Sequence, residues 1–105
     1  MEKDKIKTDV IFRVDTTKDF KGDVVAIFPH DVQTYKGNVG YYVHVGQHSH
    51  GDYQRLIETS RLATEEEAKH LKAELENGYG YNFNVMKRRN YNKYLENYRK
   101  LNARK

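Results

Sequence analysis

Ten residues of the chain, 44–53, read HVGQHSHGDY and carry three imidazoles, a carboxylate, a hydroxyl and a carboxamide. Side chains of these types ligate metals, move protons or recognise polar partners. Strand alternation sorts them. Tyr41, Val43 and Val45 share one face, while Tyr42, His44, Gly46 and His48 share the other. His48 and Ser49 are then neighbours on opposite faces, so a Ser/His/Asp arrangement with Asp52 does not assemble, and no catalytic residue is assigned. A zinc site needs three or four converging ligands. His44, His48, His50 and Asp52 are the candidates, and the only other histidines are His30 and His70. No metal and no other cofactor is assigned on that set. A binding surface is the expectation that remains: His44, Gln47, His48, Ser49 and Asp52 offer donors and acceptors at a strand end, and Gly46 permits close approach of a ligand or backbone.

A second cluster lies at the C-terminal end. Residues 1–86 hold 11 basic and 14 acidic side chains, and residues 87–105 hold eight basic and one acidic, so the net charge of +4 is concentrated in the last nineteen positions. Lys87, Arg88, Arg89, Lys93, Lys100 and Arg104 are the residues that would meet nucleic acid or another polyanion, with interleaved tyrosines able to stack on bases. The competing account is that these cations suit a helix C-terminus and pair with the acidic segment upstream. No phosphate-cradling glycine motif is present.

The elements that must position these residues follow from periodicity. "TDVIFRVD" (8–15) alternates as a strand, with Val10, Phe12 and Val14 on one face and Ile11 and Arg13 on the other. "VVAIF" (24–28) is a second strand closed by Pro29, and 29–40 is a long connection of the kind that often binds something. Residues 41–48 make the third strand; 50–63 is open between helix and extended chain. "TEEEAKHLKAELENG" (64–78) is a helix, with a Thr64/Glu67 capping box, a stripe of Ala68, Leu71 and Leu75, and a stop at Asn77-Gly78. Residues 81–87 form a fourth strand with Tyr81, Phe83 and Val85 inward. Residues 90–104 form a basic helix whose Tyr91, Tyr94, Leu95, Tyr98 and Leu101 share one face, with Lys93, Lys100 and Arg104 nearly opposite.

The order β-β-β-α-β-α predicts an α+β fold, a two-layer, mostly antiparallel four-stranded sheet with helices packed on one face. Residues 1–7 are expected to be disordered and 8–105 to be one domain. The absence of cysteine rules out disulfides and thiolate chemistry and suits the cytoplasm. No apolar run is long enough to span a bilayer, and the polar start is not a secretory signal.

The pieces "DVIFR", "VVAIFP", "YYVHVGQHS", "LATEEEAKHLKAELE" and "YGYNFNVMKRR" in order resemble a group of small uncharacterised proteins of bacteriophages, prophages and mobile elements of gut-type bacteria. The likeness covers about residues 8–89, and "HVGQHS" is its most distinctive part. It implies phage–host functions, such as interference with a host defence system, but transfers no residue role. Together these features lead us to expect a small non-enzymatic binding protein, monomeric or homodimeric, meeting a host protein or a small anionic ligand. The alternatives are a nucleic-acid-binding module on the basic helix and a metal-dependent hydrolase on the histidine cluster. The latter is drawn from "HSHGD", which matches H-x-H-x-D of metallo-β-lactamase-type hydrolases but has Tyr53 where that motif continues with histidine.

Overall fold

The structure, a computed structural model, describes residues 7–19, 21–43 and 48–103. Its elements are β1 (Thr8–Asp15), β2 (Val24–Val32), β3 (Val39–Tyr42), β4 (His48–Gly51), α1 (Tyr53–Glu58), β5 (Ser60–Leu62), α2 (Glu65–Tyr79), β6 (Phe83–Val85) and α3 (Tyr91–Asn102). The fold is α+β, as expected, with one mostly antiparallel sheet in the order β4-β3-β2-β1-β5. β6 pairs with β1 in parallel, and every other pairing is antiparallel.

β1 is the strand around which the sheet is built. One edge pairs with β2. The opposite edge is shared: β5 takes the half from Arg13 to Asp15, and β6 takes Thr8 to Val10. The carbonyls of Val10 and Phe12 point the same way, and accept from Met86 N–H and Ala63 N–H respectively. α2 makes the crossover between those two short strands.

Both faces of the central strands are apolar, and this corrects the expectation of helices on one face. Val10, Phe12, Ala26, Phe28 and Tyr42 pack with Ala68, Leu71 and Leu75 of α2. On the reverse, Ile11, Ile27 and Val39 are buried with Tyr53, and Leu56, Ile57, Met86 and Tyr94 from α1, α3 and the turn before it close over them. Ile11 and Ile27 are fully buried. Leaving each in water would forgo about 1.5–3 kcal/mol, so the second face cannot stay bare. The strand count also rises from the expected four, because 50–63 supplies a strand on each side of a short helix.

Several boundaries move for local reasons. Pro29 does not close the second strand. β2 runs through it to Val32, and its pairing with β3 shifts register between Ile27 and Val32, which accommodates a residue without an N–H. The connection from 29 to 40 therefore shrinks to residues 33–38, and Gly37, with φ 95°, turns the chain under α3. A side chain there would collide with the Tyr94 hydroxyl, which donates to the Gly37 carbonyl at 3.0 Å. The expected third strand 41–48 is divided between β3 and β4, and 44–47 lie outside the described residues. α2 passes through Gly78 and ends at Gly80, whose left-handed φ of 74° the cap requires. Its start is as expected. Thr64 Oγ1 accepts from Glu67 N–H at 3.1 Å, and Glu67 Oε1 accepts from Thr64 N–H at 2.9 Å. Val85, expected inward with Phe83, is 54% exposed. It flanks an open groove between α2 and β6, which α2 does not cover.

Candidate functional site

β4 is the last strand of the sheet, and His48, Ser49 and His50 on it are all exposed. Pairing with β3 sets their directions. His48 lies opposite Tyr42 and His50 opposite Gly40, on the face that carries α2; Ser49, opposite Tyr41, points to the other face. The His48 ring packs against Tyr42 with centroids 4.5 Å apart, and meets Tyr79 edge-on at 5.2 Å. His50 Nδ1 lies 3.4 Å from Asn38 Nδ2. Asp52 sits outside this group: it caps α1, accepting from Arg55 N–H at 3.0 Å. His44 and Gln47 fall outside the described residues. Of the proposed contact set, His48 and Ser49 border one cleft, although their side chains alternate across the strand, and Asp52 lies at a helix end.

His48, Ser49 and His50 border a cleft of about 310 Å³ that is also lined by Phe28, Asp31, Gln33, Gly40, Tyr41 and Tyr81. Asp31, Gln33 and Gly40 belong to the 29–40 stretch expected to bind; Phe28, Tyr41 and Tyr81 carry no such signal in the sequence. Gly40 lies beneath two of the lining side chains. A Cβ on it would stand 2.8 Å from Asp31 Oδ2 and 3.4 Å from Gln33 Nε2, so a larger residue there would displace them. Gln33 Nε2 donates to Asp31 Oδ2 at 2.7 Å. Tyr81 stacks on Phe28 at 5.5 Å and on Phe83 at 5.0 Å. Burial, followed by the negative fields of Asp31 and Tyr79, pushes the Tyr81 hydroxyl above its ordinary pKa. Among the described residues no three His, Asp or Glu side chains are placed to hold one metal ion.

The titratable cluster that the fold does build lies elsewhere. His30, read from sequence only as a spare histidine, is 6% exposed and ties three elements together. Its Nδ1 donates to Asp9 Oδ2 at 2.9 Å, and its Nε2 accepts from Asn90 N–H, the first residue before α3, at 2.8 Å. Asp9 also accepts from Lys93 Nζ at 2.6 Å and Asn84 Nδ2 at 2.9 Å. Asn97 Nδ2 donates to the His30 carbonyl at 2.7 Å. Burial alone would raise the Asp9 carboxyl, but the hydrogen bonds from Lys93, Asn84 and His30 bring it down to about 2. Burial lowers His30, against the raising effect of Asp9, so the ring is held neutral. With Nε2 engaged by a backbone N–H, this His–Asp pair has no free base to offer a substrate; it clamps α3 to β1 and β2.

The basic set is partly consumed by the fold. Lys93 is exposed, as expected, and its ammonium also meets Asp9. Arg89 lies over the rings of Tyr53 and Tyr94, 4.2 and 4.1 Å from their centroids. Lys100 is 3.8 Å from Glu96, both well exposed. Lys87 and Arg88 are exposed, and Arg104 lies outside the described residues. The tyrosine face turns inward for most of its length, as its spacing predicts: Tyr94, Leu95, Tyr98 and Leu101 are half-buried and Tyr94 packs on the second core, while Lys93 and Lys100 are exposed. Tyr91 departs from it at 56% exposed, and no α3 residue is fully buried.

No family model, curated protein sequence or solved structure matches the chain. Among the described residues, no helix is long and apolar enough to cross a membrane.

Proposed function

We propose that the chain is a small non-enzymatic binding protein of phage or mobile-element type that acts in the host cytoplasm. It engages a host protein, in the manner of an inhibitor of a host defence component, through the margin formed by β4 and its cleft. The carrying observation is that the terminal strand presents His48 and His50 outward beside the cleft at Gly40. An unpaired strand edge offers main-chain donors and acceptors, and flanking pockets select side chains. A small anion suits this margin poorly, because Asp31 brings a carboxylate to it. The phage resemblance supports a host protein as the partner.

The test compares what untagged protein retains from host cells, by mass analysis, among three forms. A partner kept by wild type and by Lys87→Glu/Arg88→Glu, but lost by His48→Ala/His50→Ala, is the expected result. Retention that survives the histidine pair and disappears on charge reversal transfers the function to the basic face.

A further inference from the structure

Resting on that reading, we propose that the cleft takes a guanidinium group, delivered as an arginine side chain of the partner segment that lies along β4. Three features of the cleft converge on a planar cation.

The first is charge. Asp31 is exposed at the cleft, and among the described residues it accepts a single hydrogen bond, from Gln33, and pairs with no lysine or arginine. That bond uses Oδ2, and leaves Oδ1 and further lone pairs directed elsewhere. A carboxylate with one neutral donor is an acceptor for a forked cation, which satisfies both oxygens at once.

The second is the ring walls. Tyr81 and His48 both line the cleft, and Tyr79, 51% exposed, is near both, 5.2 Å from His48 and 6.4 Å from Tyr81 between centroids. Phe28 backs Tyr81 nearly parallel, at 21°. Aromatic faces attract cations through their quadrupoles, and a flat guanidinium stacks on them where an ammonium cannot. The fold already uses this pairing once, at Arg89 over Tyr53 and Tyr94.

The third is position. His50 is opposite Gly40, so a segment paired to the outer edge of β4 projects alternate side chains onto the face where Asp31 and Tyr81 stand. A cleft of about 310 Å³ holds one long side chain.

The probe is a blocked Thr-Arg-Thr peptide, titrated against the full chain and followed by amide NMR, alongside versions with lysine and with citrulline, the neutral isostere of arginine. The arginine peptide is expected to shift Asp31, Gln33, Gly40 and His48 saturably. Lysine should bind more weakly, and citrulline about tenfold or more weaker. Asp31→Asn, which keeps the shape and the Gln33 contact, should weaken the arginine peptide by a similar factor. Gly40→Val, which fills the cleft, should abolish binding.

Equal binding of arginine and citrulline, or no effect of Asp31→Asn, overturns the cation assignment. Equal binding of lysine overturns the choice of guanidinium. In each case, loss of peptide binding in Gly40→Val leaves the β4 margin standing as the binding surface. Shifts confined to other parts of the molecule overturn both.

Discussion

At the scale of residues, His30 shows how far a side chain's role departs from its chemistry in isolation. Its neutral ring donates from one nitrogen and accepts at the other, a pattern the protonated ring cannot make because both nitrogens would then be donors. The consequence for stability has a definite sign. In the unfolded chain the ring titrates near 6.5, and in the folded protein lower. Below 6.5 the unfolded state therefore binds a proton that the folded state refuses, and stability falls as the pH drops toward the folded value. Asp9 adds a further loss at more acid pH, between the ordinary 3.8 and its folded value of about 2. Denaturant unfolding from pH 7.5 to 5 should show this decline. His30→Gln should be less stable at pH 7.5, by about 1–3 kcal/mol for the disturbed buried bonds, but with a flatter acid slope. A slope equal to that of wild type would remove His30 from the account.

At the scale of elements, α2 and α3 are held by different physics. α2 is capped at both ends and buries Ala68, Leu71 and Leu75, so its stability is that of the core. α3 buries no residue fully and is fastened mainly by polar contacts to Asp9, His30 and Gly37. Native-state hydrogen exchange should therefore find α3 opening at lower free energy than α2. Asp9→Asn should speed exchange in α3, since it removes the charge that holds Lys93, and leave α2 unchanged. Equal acceleration in both helices would show that α3 opens only with the whole domain.

Across the whole molecule, part of the basic set is placed beside the protein's own carboxylates and rings. Lys93 and Arg89 are engaged by Asp9 and by tyrosine rings, and Lys100 has Glu96 beside it. On the proposed host-protein reading, the exposed Lys87 and Arg88 are not the contact surface. Gel-shift assays with single- and double-stranded DNA should show no retention at about 0.15 M salt. Retention there, falling steeply as salt rises and lost in Lys87→Glu/Arg88→Glu, would restore the nucleic-acid reading.

Local pattern was enough for the α+β class, the first strand, the Thr64/Glu67 cap and the exposure of His48. Each of these depends on neighbours a few residues apart: alternation for β1, a four-residue box for α2, a polar strand end for His48. The rest depended on partners distant in the chain. Ile11 and Ile27 make a second core only when α1 and α3 arrive to cover them. Pro29 remains in a strand because a register shift in the β2–β3 pairing absorbs it, and no signal around 29 shows that. His30 and Asp9 are 21 residues apart, and Lys93 is 84 from Asp9, so no spacing rule joins them. The cleft is of the same kind. Its carboxylate, glycine, imidazoles and ring come from β2, β3, β4 and the segment after α2. Backbone periodicity determines which way a side chain points, but which side chains meet is decided only when the strands pair, because pairing is what brings remote stretches of chain within bonding distance.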